Sequence, residues 1–411
     1  MYNYILNSIG YKNQWHLHGR DVSGLTKMSS INVEKAWSIL NGFGKNEVVI
    51  GFADDGCNLS SVDDNINKKF TAAAFLQDGK LMTGAASSIK NRMYIPPYRH
   101  GTALAGLIAA PLSSSLPVGV SPGCRLLPVR WEFDNGFHIT QKGFYKILSF
   151  ISNKVDIFIN TWAKFPKMVF NDENLAMIRE LTYKGGRRGK GIVFIWAAGN
   201  SGCPIHYSCD NDIIWSGCVG KDGLLYGVKK SKEFFHSLYN VDNVLIVSAI
   251  NAFGKRAHYS CYGNGISICA PSNNKHCFES GLYIEKGLTT RSADQAGFTN
   301  NFKGTSGAAA LVAGVAGLVI SANMEASAFD VVSVIKSTAL KSLDFVPYPT
   351  SKYLCSQFNL GLIEDSVIDV YSNGKFNLEG WSPWFGYGLV NAEHAVKLAI
   401  NKKIRSSMYG G

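Results

Sequence analysis

Val48-Val49-Ile50-Gly51-Phe52-Ala53-Asp54-Asp55-Gly56 is an apolar, β-branched run that stops abruptly at two carboxylates and a turn glycine. Four apolar residues in five, three of them β-branched and bounded by a turn signal, predict a strand buried on both faces, the habit of parallel sheets. Three further runs have the same character: Val155 to Asn160, Gly191 to Ala197 and Val244 to Ser248. Between them lie stretches with helical spacing, Gly101 to Ala110, Phe144 to Ser152 and Asn174 to Tyr183. Alternating strands and helices predict an α/β fold with a central, mainly parallel sheet flanked by helices in three layers. A carboxylate at the carboxyl end of such a strand points into the crevice where α/β sheets bind ligands, which singles out Asp54 and Asp55.

Composition bounds the rest. The 411 residues, 46% of them apolar, suffice for a large core. No repeat or low-complexity linker interrupts the chain, so one domain is expected over residues 1–400, with a tail at 401–411. Residues 211–241 and 341–380 have weaker periodicity and are expected to be insertions. Gly386-Tyr387-Gly388-Leu389-Val390-Asn391-Ala392 opens a final helix with Asn391 as its N-cap. The apolar stretch Gly307 to Ala322 is shorter than the ~20 residues a bilayer requires and rich in Gly and Ala, so a buried helix is expected and no membrane span. The formal charge of +11 is dispersed in short groups such as Lys229-Lys230-Ser231-Lys232, expected to be solvated loops, and no basic helix or finger spacing accompanies it; nucleic acid is not expected as a partner.

The nine cysteines are odd in number and contain no CxxC pair, which argues against zinc. Cys203, Cys209 and Cys218 permit a local disulfide in an oxidising compartment, or buried thiols otherwise. The opening MYNYILNSIG has no secretory leader pattern, and the compartment is left open between a secreted mature form and the cytoplasm.

Three more segments carry chemistry. Arg99-His100-Gly101-Thr102-Ala103-Leu104-Ala105-Gly106 sets a histidine at the start of a small-residue helix. Asn301-Phe302-Lys303-Gly304-Thr305-Ser306-Gly307 sets a serine at the amino end of another, where unpaired backbone N–H groups gather. Trp196-Ala197-Ala198-Gly199-Asn200 ends a buried strand with an amide donor. Alone, each has a bland reading as turn or core chemistry. Together they run in the order Asp, His, Asn, Ser, and Asp, His, Ser is the chain order of subtilisin.

With these motifs, from Gln14-Trp15 to Gly386-Tyr387-Gly388-Leu389, the chain resembles the subtilisin-like serine proteases over nearly its whole length, and the Asp-Asp-Gly turn and Trp-Ala-Ala-Gly-Asn stretch look most like the kexin and furin branch. The resemblance implies a serine endopeptidase with Asp54, His100 and Ser306 as triad and Asn200 as oxyanion donor. It implies that Thr161-Trp162-Ala163 pairs with an extended protein or peptide substrate, and that Asp210 stands at a pocket floor favouring a basic residue before the cut. Lys164-Phe165-Pro166-Lys167 departs from the branch, which has acidic residues there, and Ala310 stands where the family has proline. No cofactor is implied for the chemistry. Asp63 matches a family calcium ligand, but Pro111-Leu112-Ser113-Ser114-Ser115 lacks the expected asparagine, so any structural calcium should bind weakly. Neither a propeptide before Gln14 nor the branch's β-rich companion domain is recognisable, which leaves a folding chaperone or inhibitor in trans as an expected partner. The competing expectation is a catalytically silent binding or scaffold protein on the same fold.

Overall fold

The computed structural model describes residues 9–18, 29–59, 68–132, 139–219, 225–273, 287–293, 297–343, 345 and 374–409. Among these, the strands are β1 (Val49–Asp54), β2 (Ala73–Gln77), β3 (Lys80–Gly84), β4 (Arg125–Arg130), β5 (Ile157–Asn160), β6 (Lys167–Met168), β7 (Val193–Ala197), β8 (Tyr207–Val219), β9 (Leu225–His236), β10 (Val244–Ile250), β11 (Ile266–Pro271), β12 (Leu288–Arg291) and β13 (Phe298–Phe302). The main helices are α1 (Val33–Leu40), α2 (His100–Ala109), α3 (Gln141–Ile151), α4 (Asp172–Lys184), α5 (Gly304–Ala322), α6 (Ala328–Ser337) and α7 (Ala392–Tyr409).

An eight-stranded sheet of order β11-β10-β7-β5-β1-β4-β2-β3 forms the middle layer, parallel throughout except for β3, which pairs antiparallel with β2 at the edge. The two-residue period of β1 sorts its side chains between two cores. Ile50 and Phe52 join the one that contains α1, α2, α5 and α7, while Val49 and Ala53 join the one that contains α3 and α4. The expected three-layer α/β architecture is what the chain forms.

Helix α5 is buried at every one of its 19 residues. Its small residues allow that depth: a Cβ added at Gly317 would stand 2.9 Å from Ile50 Cδ1, and one at Gly314 would stand 2.4 Å from Val120 Cβ. It is the one helix among the described residues long and apolar enough to cross a membrane, and its complete burial accords with the expected core helix. Asn391 caps α7 as expected, its side-chain oxygen accepting the His394 N–H at 2.8 Å.

Residues 211–241, expected to be an insertion, carry strands. Most of them form β8 and β9, an antiparallel hairpin that β6 joins through Lys167–Phe235 and Met168–His236 pairs to make a separate three-stranded sheet. The basic group 229–232 therefore sits on a strand, with its lysines still exposed. Most of 341–380 lies outside the described residues.

Parallel strands β1, β5 and β7 are adjacent and in register, with Ala53 opposite Asn160 and Asn160 opposite Trp196. Their carboxyl ends share one edge, so Asp54, Thr161 and the turn after Ala197 emerge side by side. Strand order also reverses about β1, the position where open α/β sheets leave a crevice.

Candidate active site

Asp54, the last residue of β1, is 5% exposed. Its Oδ1 lies 2.8 Å from His100 Nδ1 and accepts the Asp55 N–H at 2.8 Å, while the Thr161 hydroxyl donates to Oδ2. His100 begins α2, and the cap of that helix comes from a distant strand end. Asp55 accepts the His100 N–H at 2.9 Å and the Gly101 N–H at 2.8 Å. The two carboxylates thus divide: Asp54 holds the imidazole, and Asp55 holds the backbone that carries it. Gly101 is required by the close approach, since a Cβ there would stand 2.0 Å from the Gly56 carbonyl oxygen.

Burial works to raise the Asp54 pKa, but the His100 charge and the hydrogen bonds outweigh it and hold the carboxyl below its usual value. Asp55 is pushed up to about 7, first by burial and then by the neighbouring Asp54 charge. Burial alone would lower His100; the Asp54 carboxylate outweighs it and raises the imidazole above 6.5.

Ser306 lies in the first turn of α5, where the helix offers its own N–H groups no acceptor. Its hydroxyl donates to the Thr161 carbonyl at 3.3 Å, and no hydrogen bond joins it to His100 among the described residues. Asn200 follows β7. Its side-chain oxygen accepts both the Thr305 N–H at 2.9 Å and the Thr305 hydroxyl at 3.0 Å. A backbone N–H can only donate, which fixes the amide's orientation and leaves its NH2 group beside Gly304. That glycine has φ +85°, and a Cβ on it would stand 3.1 Å from Asn200 Nδ2. Thr305 also accepts the Gly199 N–H at 3.1 Å.

The structure therefore brings Asp54, His100, Thr161, Ser306 and, through Thr305, Asn200 into one network. Trp162 is half-buried, with its ring turned against the core: its carbonyl accepts the Trp196 indole N–H at 2.8 Å and its ring lies edge-on to Trp196 at 5.1 Å. Ala163 is half-buried and borders a cleft of about 730 Å3 also lined by Phe144, Trp162, Phe165, Val169 and Phe170. Asp210 is exposed on β8 and does not line that cleft, so the expected pocket-floor carboxylate is not in a buried position. Lys167, which ends the stretch that departs from the branch, is paired with Glu233. Cys203 faces Cys261 as a thiol pair with sulfurs 3.8 Å apart, rather than Cys209, whose thiol donates to the Asn211 carbonyl.

Asp63 lies outside the described residues. In the 111–115 loop, the Ser113 hydroxyl accepts the Ser115 and Leu116 N–H groups. The carbonyls that flank the loop are served by a cation already present: Arg291, 3% exposed, donates to Pro117 O at 2.7 Å and to Pro111 O at 3.4 Å. Among the described residues no group of three or more His, Cys, Asp or Glu side chains gathers. The 111–115 loop by itself offers fewer than the six to eight oxygens calcium takes, and its carbonyls already meet a guanidinium.

Sequence reasoning missed the positioning roles of Thr305 and Asp55. Both were visible as neighbours of chosen residues, but only the fold shows that one spans to Asn200 and the other to α2.

Residues 45–388 match the model of the subtilase family, Peptidase_S8. The chain is 28% identical over 414 residues to the calcium-dependent protease of Nostoc sp., covering 95% of this chain and 52% of that protein. It is 26% identical over 370 residues to furin of Mus musculus, covering 86% of this chain and 40% of furin. The chain thus spans about half the length, or less, of these curated relatives. Among solved structures, the serine protease of Aeromonas sobria in complex with its chaperone superposes with a TM-score of 0.65 at 19% identity, over 95% of this chain and 66% of that one.

Proposed function

We propose that this chain, which belongs to the subtilase family, is an active serine endopeptidase that cuts protein or peptide substrates with Ser306 as nucleophile, His100 as general base and acid, and Asp54 as the group that orients His100. The observation that carries the proposal is the 2.8 Å contact between Asp54 Oδ1 and His100 Nδ1, which fixes the proton on Nδ1 and leaves Nε2 free to accept another. The Ser306 hydroxyl then turns from the Thr161 carbonyl to Nε2, loses its proton there and attacks the peptide carbonyl. Charge on the carbonyl oxygen is met by the Asn200 NH2 group and the Ser306 N–H. His100 passes the proton to the leaving amine, and a water activated in the same way releases the acyl group.

A basic preference before the cut would rest on Asp210, and its exposure on β8 gives that reading little support. The name of the Nostoc relative raises a calcium requirement, against which stands Arg291 at the loop carbonyls. One observation favours a silent scaffold instead: the Ser306 hydroxyl is engaged by Thr161 rather than by His100. Catalytic hydrogen bonds often form only when substrate is bound, so this contact is compatible with turnover. Peptide hydrolysis by the wild type, lost in Ser306→Ala and His100→Ala variants that stay folded, is the test; turnover retained in either overturns the assignment.

A further inference from the structure

We infer that Phe165 closes the space beside Gly199 and makes the protein selective for a glycine or alanine immediately before the scissile bond. The inference rests on the peptidase reading above, because Ser306 and Asn200 locate the substrate. The reacting carbonyl must lie within about 3 Å of both the Ser306 hydroxyl and the Asn200 NH2 group. A substrate strand laid along Thr161 to Ala163 then sends the side chain of the residue bearing that carbonyl into the gap between Ala163 and Gly199.

That gap is filled. A Cβ placed on Gly199 would stand 2.4 Å from both Cε2 and Cζ of Phe165 and 3.3 Å from the Cβ of Ala163. The ring end therefore lies against the glycine, and the substrate side chain is inferred to lie on that same side. Its backbone is held as well: Lys167 and Met168 pair with β9, and the Phe235 N–H donates to the Pro166 carbonyl at 3.1 Å. The ring can leave only by rotating about its own side-chain bonds, away from the partly buried aromatic packing it joins beside Trp162. A hydrogen or a methyl group fits beside it. A leucine, phenylalanine or arginine side chain would have to displace it, and a cationic one would also approach Lys164 and Lys167, the charged residues that border the adjoining cleft.

The test is a peptide series differing only in the residue before the cut, Gly, Ala, Leu, Phe or Arg, read as kcat/KM for the wild type and for Phe165→Ala. Labelling of both proteins by a fluorophosphonate is measured in parallel. The wild type should prefer Ala over Leu and Phe by about 100-fold or more, the scale on which packing discriminates a few methylenes. Phe165→Ala should raise Leu and Phe cleavage relative to Ala cleavage at least ten-fold. Should Phe165→Ala fold poorly, Phe165→Leu, which keeps most of the apolar volume, should shift the same ratio in the same direction. Wild-type cleavage of the Leu or Phe peptide within ten-fold of the Ala peptide overturns the inference, as does an unchanged ratio in both variants. Absence of fluorophosphonate labelling in the wild type would instead overturn the peptidase reading beneath it.

Discussion

Thr305 holds Asn200 by two hydrogen bonds to one atom: its N–H and its hydroxyl both donate to the Asn200 side-chain oxygen, at 2.9 and 3.0 Å. The amide that would stabilise the oxyanion is thereby oriented from the same helical turn that carries Ser306.

The first prediction concerns that clamp. Thr305→Val removes the hydroxyl contacts to Asn200 and Gly199 while keeping the shape. A hydrogen bond is worth about 0.5–1.5 kcal/mol, so kcat should fall roughly 3–10-fold with KM little changed. Thr305→Ser should restore most of it. Asn200→Ala should cost ~10²–10³ in kcat, a range taken from the equivalent amide of a subtilisin rather than derived from this geometry. A Thr305→Val effect confined to KM would contradict the positioning role.

Asp54 and Asp55 should separate by pH. His100 acts as a base only when neutral, and the Asp54 carboxylate raises its pKa above 6.5. The acid limb of kcat/KM should therefore have its midpoint above pH 6.5. Asp54→Asn should cut kcat by roughly 10⁴ and move the remaining limb downward. A limb that stays in place would show that Asp54 does not govern His100.

Asp55→Asn should be milder in activity and visible in stability. The folded chain holds the Asp55 proton up to about 7, against 3.8 ordinarily, so it binds that proton more tightly than the unfolded chain does. The resulting stabilisation is complete below about pH 4 and lost as pH rises through 7. Measured by thermal unfolding, the stability of the wild type relative to Asp55→Asn should decline from pH 5 to pH 8. A constant or growing difference would contradict the raised pKa.

Chelation should leave the protein as it is. Arg291 supplies a cation to the carbonyls of Pro111 and Pro117. Excess EDTA should shift the melting temperature by no more than about 1 °C, whereas Arg291→Met, which strands those carbonyls, should cost about 1.5–3 kcal/mol. A large loss of stability on chelation would show that calcium is bound after all.

The sequence disclosed the parts whose chemistry is local. Strand β1 announced itself because Val49 to Ala53 is apolar on both faces and ends in Asp54, and α5 because Gly and Ala alternate with Leu, Val and Ile over its length. The order of Asp54, His100, Asn200 and Ser306 along the chain was legible in the sequence. Strand β4 was missed because Pro128 sits inside it, and a proline argues against a central strand. The β8 and β9 strands escaped recognition because their lysines hide the alternation that pairing requires. Phe165 read as a missing acid, since only the fold brings residue 165 against Gly199.

The most direct measurement is mass-spectrometric mapping of a fluorophosphonate adduct, with peptide hydrolysis followed on the same samples. The wild type should carry one adduct, on Ser306, and lose its peptidase activity in proportion; Ser306→Ala should carry none and cut nothing. An unlabelled wild type, or labelling and cleavage that persist in Ser306→Ala, would contradict a peptidase built on Ser306.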